Sequence, residues 1–451
     1  MAGYQKLSVL LTEELDELAE EGRLLDRDAF LREIEACGDD QNRLLEVYNK
    51  LRLLPMRPDF PYQEPSDYGE ILAACGDPDR PSPLSDEHLQ DRIYGAWLGR
   101  CIGCAVGQPV EGWKREKVRA WCEGADAYPL TGYIPTHSRA ESAGCVLVNN
   151  ACTTEYLQGM PSDDDIRYTI LGLDLLKKHG CDFDTWDVGT HWLEHLPFRM
   201  VCTAETQSYL NFANLDQNGP GKVRPDHAAA LARSCANYIN PYREWIGAQI
   251  RIDAYGYAAA GNPVLAAQLA YQDASFSHVK NGIYGAMFFA ALIAAAFSSS
   301  SIREAIEIAR HFVPPKSRFA EMVEQAIAAG DSAKSEEELL DRALAIGSGY
   351  NWVHTLNNAA LCVAALVYTK GDFDRVIPLV VMGGMDTDCN GATVGSIAGA
   401  FQGAKQIPEK WKAPLQDTVF SEVPGYHPIA ISELARQTVE VIHTKISKPQ
   451  K

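Results

Sequence analysis

Glycine recurs every fourth residue at two places in this chain, Gly95, Gly99, Gly103 and Gly107 and later Gly395, Gly399 and Gly403. A glycine costs a helix up to ~1 kcal/mol relative to alanine, so a row of them along one helical face makes sense where another backbone must come very close. Membrane helix dimers use the same spacing, but they need a spanning segment. The longest apolar run, Ala286 to Phe297, is short and alanine-rich, which predicts a buried core helix instead. The spacing therefore predicts tight packing of central helices.

The rest of the pattern agrees. Apolar residues recur at helical spacing over 166–178, 228–238, 263–271, 283–297, 302–312, 335–346, 356–368 and 392–404, and no convincing alternating strand is present. An all-α fold is the economical reading. Polar, acidic helices are expected up to about Asn49. Two proline-rich stretches follow, Leu54–Pro61 and Gly76–Pro83, and Ser85 can cap the first helix of the main domain. The chain divides into an N-terminal helical appendage and connector (1–84), a main domain (85–410) and a C-terminal extension (411–451). The appendage has too few large apolar residues for a strong core of its own and is expected to pack on the main domain.

Charge narrows the partners. Among 451 residues, 41 Lys and Arg face 60 Asp and Glu, a net charge of −19. That sign disfavours nucleic acid and anionic membrane surfaces. The first residues turn acidic after a very short apolar run and resemble neither a signal nor a transit peptide, which points to a cytoplasmic protein. Twelve scattered cysteines, with only Cys101 and Cys104 in a Cys-x-x-Cys pair, read as reduced and mostly buried thiols.

Two segments concentrate acidic side chains with hydroxyls or amides. They are Ser162-Asp163-Asp164-Asp165, after Pro161, and Gly383-Gly384-Met385-Asp386-Thr387-Asp388-Cys389-Asn390-Gly391. Such groups are hard oxygen ligands of the kind that Mg²⁺, Mn²⁺ and Ca²⁺ prefer. Two carboxylates ~4 Å apart repel by roughly 4 kcal/mol at an effective dielectric of ~20, so bringing the segments together calls for a cation. Ser162 stands where a helix N-cap should, which would aim Asp163 and Asp164 out of the mouth of that helix.

Taken in order, four segments resemble the ADP-ribosylglycohydrolase family. They are Gly95-Ala96-Trp97-Leu98-Gly99 continuing to Gly107-Gln108-Pro109-Val110-Glu111, then Pro161–Asp165, then Ser277-His278, and finally Gly384–Asn390. The resemblance runs from about Asp91 to about Gly403. It implies a compact all-α bundle with a metal site in a central cleft, holding Mg²⁺ or Mn²⁺, two ions in all. It also implies hydrolysis of an N- or O-ribosyl glycosidic bond, with an ADP-ribosylated protein or small molecule as the family's default substrate. Ser162, Asp163, Asp164 and Asp388 would ligate one ion, and Asp386 and Asp388 the second. Glu111 and Asp164 would be catalytic. His278, Gly247, Arg251, Trp245 and Asn390 would line the substrate site.

Several positions depart from the family pattern. Arg100 replaces an acidic residue, Asp165 replaces a Thr and could support the ligands or complete a capping box with Ser162, and Cys389 stands where a Thr ligand is usual. Tyr242, Trp245 and Ile246 crowd a stretch that in the family helps bind a diphosphate. A smaller ribosylated metabolite or nucleoside is therefore an alternative substrate, and a non-catalytic ligand-binding or crystallin-like role is the alternative outside enzymes.

Overall fold

A computed structural model describes residues 5–76, 86–215 and 222–446. Ser85 and residues 77–84 of the connector lie outside them. Among the described residues the fold is all-α, and the one sheet is a pair of two-residue antiparallel strands, Thr418–Val419 and Ile429–Ala430.

The glycine rows meet each other. Helices Asp86–Gly107 and Thr387–Gln402 run antiparallel in backbone contact, with Gly95 against Gly399, Gly99 against Gly395 and Gly103 against Gly391. A Cβ built on Gly103 would lie 1.9 Å from the Gly391 carbonyl oxygen, and one on Gly99 would lie 2.0 Å from that of Gly395. Gly391 extends the second row one turn beyond what the spacing alone suggested. Gly403 sits past the helix end, where its φ of +87° and the nearby Asp91 carboxylate both exclude a side chain. This pairing has a direct consequence for function. It sets the N-terminus of the second helix, with Asp386 and Asp388, against the C-terminus of the first, which leads into Glu111.

Helix Lys280–Ala296 is the apolar run expected in the core, and every residue from Asn281 to Ala296 is buried. No helix among the described residues is long and apolar enough to cross a membrane. All twelve cysteines are free and most are buried, Cys101 and Cys104 included. The segment after residue 410 packs closely on the main body. Trp97 Nε1 donates to Thr438 Oγ1 at 3.0 Å, Tyr133 Oη donates to the Trp411 carbonyl at 2.6 Å, and helix Ile431–Val441 lies along helix Asp86–Gly107.

The N-terminal helices share a small buried cluster. Helices Leu7–Glu20, Arg27–Cys37 and Gln41–Leu51 close over a small cluster of their own, including Leu11, Leu15, Leu44 and Val47. Heptad-like spacing of a few leucines is enough when three short helices share them. Docking to the main domain is ionic as well as apolar. Arg243 is buried against the first helix, donating to Glu14 (2.8 and 2.9 Å) and Glu21 (2.9 Å), with Glu17 at 3.6 Å. Removing one partner from a buried ion cluster costs about 3–5 kcal/mol because the remaining charges stay buried. Arg243→Met is therefore expected to lower the melting temperature and make residues 1–51 sensitive to limited proteolysis. A digestion pattern identical to that of the parent protein would show that Arg243 does not hold the appendage.

Candidate metal centre

Two turns build the acidic centre. Gly384 and Met385 both adopt positive φ (+73° and +64°), and a Cβ on Gly384 would lie 2.4 Å from the Trp113 carbonyl oxygen, so only glycine fits there. This turn is laced to the Glu111 loop, with Gly112 N–H donating to the Met385 carbonyl (2.9 Å) and Met385 N–H to that of Trp113 (3.0 Å). The lacing places Glu111 beside Asp386 and Asp388, with one ligand oxygen from each carboxylate mutually within 4.8 Å. The second turn opens helix Asp164–His179. Here Asp163, Asp165 and Asp388 converge with Cys104, again within 4.8 Å. Asp388 belongs to both groups.

The N-cap differs from the sequence reading. Asp163, not Ser162, caps the helix, its Oδ1 accepting from Asp165 N–H at 3.0 Å. Ser162 Oγ instead accepts from Arg167 Nη1 at 2.6 Å, one turn along, which leaves the cap to the stronger carboxylate acceptor. The capping box with Asp165 does not form either. Asp165 is buried and paired with Arg100 (Nη2 to Oδ1, 2.9 Å), whose guanidinium also donates to the Asp165 carbonyl and faces Asp253 at 3.1 Å. The two departures from the family pattern at these positions are thus partners. An arginine from the first glycine helix compensates the extra aspartate and anchors the acidic helix start.

Electrostatics mark the centre as short of positive charge. Burial pushes Glu111 up to about 8, with Asp386, Asp163 and Asp164 adding to the shift. Burial and then Asp163 push Asp164 up to about 7, with Arg167 opposing. Asp386 is pushed up to about 6 by burial, with an opposing hydrogen bond to Asp388, and Asp388 is raised strongly by burial and by Glu111. Asp388 Oδ1 is buried without a hydrogen-bond partner. An orphaned oxygen on the one carboxylate common to both groups is what a hard divalent cation would satisfy. The donor set therefore fits Mg²⁺ or Mn²⁺. Cys104 is the poor donor of the set, since burial holds its thiol protonated.

The other expected residues occupy varied places. Asp164, next to Asp163, joins neither group, nor does the buried Cys389, and Ser162 Oγ is engaged by Arg167. Asn390 is buried, donating through Nδ2 to Asn358 Oδ1 at 2.7 Å. His278 is buried with Nδ1 2.8 Å from Ser277 Oγ. Arg251 is buried among Glu205 (2.6 Å), Asp273 and Ser277 (2.7 Å), so its charge is already matched. Gly247 is explained by the same cluster, because a Cβ there would lie 2.0 Å from Glu205 Oε1. Trp245 is half-buried, with its ring 4.7 Å from that of Tyr242.

Sequence reasoning passed over three features. Gln108, inside the quoted Gly107–Glu111 segment, donates to Asp163 Oδ2 at 2.7 Å and ties the two acidic turns together. Trp352 is 42% exposed and its ring lies over Gly112, next to Glu111. A cavity of about 340 Å³ opens beside Ser162, walled by Tyr156, Phe420 and His427. Lone aromatics in loops carry no periodic signal, so only the folded chain reveals them. A further cavity, of about 780 Å³, lies between the N-terminal helices and the rest of the chain and contains none of the acidic-centre residues.

No curated protein matches significantly. A solved ADP-ribosylglycohydrolase-related protein complex is similar over 80% of this chain and 100% of that chain, at 17% identity and a TM-score of 0.47. The ADP-ribosylglycohydrolase family model matches residues 85–447, and the chain belongs to that family.

Proposed function

We propose that this protein is a metal-dependent hydrolase of an N- or O-ribosyl glycosidic bond. The observation that carries the reading is the convergence of Glu111, Asp386 and Asp388, with Asp163 and Asp165 joined through the shared Asp388. Mg²⁺ or Mn²⁺, when bound, would supply Lewis-acid anchoring of a ribose diol and of water. Asp163, Asp386 and Asp388 would hold the ion or ions. Glu111, beside Asp386 and Asp388, is placed to pass a proton to a leaving group and then take one from water. The carboxylate-rich wall would favour the positive charge that develops on an oxocarbenium-like sugar.

The substrate follows from where cations are free. A diphosphate on a −19 protein needs local arginine or an open nest of backbone N–H groups. Arg243 and Arg251, the arginines of the stretch that in the family helps bind the diphosphate, are buried and matched by glutamates and an aspartate. Trp352 near Glu111 offers a flat apolar face instead, suited to a base or sugar. A ribosylated metabolite or nucleoside without a diphosphate is thus favoured over ADP-ribose. Titration of ADP-ribose beside a panel of nucleosides, with a ribose-release assay in Mg²⁺ and in Mn²⁺, tests both points. The nucleosides are expected to bind at least as well as ADP-ribose. Submicromolar ADP-ribose with no nucleoside binding would refute the substrate, and no ribose release from any riboside would refute the activity.

A further inference from the structure

Ten residues along the helix that starts at Asp164, about 15 Å at 1.5 Å per residue, a second group of ligand-type side chains converges. Asp174 on helix Asp164–His179 faces His191 and His195 on helix Thr185–His195, and one donor atom from each lies within 4.8 Å of the others. The two histidines are four residues apart, hence on one helical face, with ring centroids 4.4 Å apart.

His191 is the anomaly. Its side chain is only 2% exposed, yet neither ring nitrogen has a hydrogen-bond partner. A buried polar group in that condition costs about 1–3 kcal/mol unless something satisfies it. Its Nε2 lies 3.4 Å from Asp174 Oδ2, beyond the roughly 2.7–3.2 Å of a hydrogen bond. Two donors each about 2.0–2.1 Å from a tetrahedral ion stand about 3.4 Å apart, which is the spacing found. With neither nitrogen engaged, the ring keeps a lone pair free for a ligand bond. The carboxylate is also held for the purpose. Tyr426 Oη donates to Asp174 Oδ1 at 2.6 Å and itself accepts from Lys177 Nζ at 2.9 Å, which fixes the orientation of Oδ2. His195 is one-third exposed, leaving a fourth position for water, with Glu194 Oε2 3.7 Å from its Nε2.

We propose that Asp174, His191 and His195 bind one Zn²⁺-type ion that clips the metal-bearing helix to its neighbour. Two imidazoles and one carboxylate select a borderline transition metal over Mg²⁺ or Ca²⁺, so this site differs in chemistry from the carboxylate-rich centre, which has no imidazole. The probes are Zn²⁺ and Co²⁺ added to chelator-treated full-length protein held in excess Mg²⁺. One equivalent of Co²⁺ is expected to give the intense visible absorption of a tetrahedral, nitrogen-ligated ion, and Zn²⁺ to displace it and raise the melting temperature. His195→Ala, at a partly exposed position, should melt like the parent in chelator while losing the Co²⁺ spectrum and the Zn²⁺ shift. Asp174→Asn should do the same should His195→Ala fold poorly. Asp386→Asn, in the other centre, should retain both signals. Absence of the spectrum in the parent, its persistence in His195→Ala and Asp174→Asn, or its loss in Asp386→Asn would each overturn the assignment.

Discussion

Gly103→Ala is expected to destabilise the protein by about 3 kcal/mol and to abolish activity with it. In an ordinary helix the change would gain up to ~1 kcal/mol. Here the new methyl would sit 1.9 Å from the Gly391 carbonyl oxygen and 2.2 Å from its carbon. The obstacle is backbone, which cannot rotate aside as a side chain would, so the loss belongs at the upper end of the ~1–3 kcal/mol typical of overpacking. Relief requires the two central helices to part, and the same parting would draw Asp386 and Asp388 away from Glu111. Gly132→Ala, where a new Cβ meets nothing within 4 Å, is the control. Chemical denaturation of both variants checks the expectation, and a Gly103→Ala protein as stable as the control would mean that the helices are not in backbone contact.

Asp388→Asn is expected to lower turnover by about 10³-fold or more, as losing several kcal/mol of metal-derived transition-state stabilisation would. The variant should also lose the increase in melting temperature that Mn²⁺ gives the parent, an increase worth about 2.7 kcal/mol at 100 times Kd. In chelator it should melt no lower than the parent, because it removes a buried carboxylate that neighbouring charges oppose. The pH dependence has a definite sign. Asp386, Asp164 and Glu111 are raised from ordinary values of 3.8, 3.8 and 4.5 to about 6, 7 and 8. Their stabilising contribution is complete below pH about 4 and is lost as pH rises through 6 to 8, so chelated protein should melt lower at pH 8 than at pH 5. Mn²⁺ competes with those protons, so its stabilising effect should grow over the same interval. Full activity of exhaustively chelated enzyme, or an Mn²⁺ effect larger at pH 6 than at pH 8, would contradict the metal centre.

Much of this was legible in the sequence, for identifiable reasons. Helices announce themselves through the 3.6-residue period, and the buried run of 281–296 through its continuous small and apolar residues. Glycine rows report a close approach because nothing else compensates their cost. Acidic clusters are visible because hard-ion chemistry needs several oxygen ligands in few residues. Cap and pairing details were less accessible. Whether Ser162 or Asp163 caps the helix depends on Arg167, and whether Asp165 is free depends on Arg100, which lies 65 residues away. Substrate contacts were least accessible, since Arg251 reads as an available cation until Glu205 and Asp273 are seen against it.

The sequence by itself determined the helical class, the need for two helices in near contact, and the chemistry of the acidic segments, because each is a local property of residue type and spacing. Tertiary structure alone decided that the two glycine rows face each other in antiparallel register, so that Asp388 is shared by two groups of carboxylates and Glu111 reaches them. It also decided that Arg100 neutralises Asp165, that the appendage docks on Arg243, and that His191 meets Asp174. Each of these joins segments whose separation in the chain leaves no periodic trace, and their meeting is fixed only when the whole core packs.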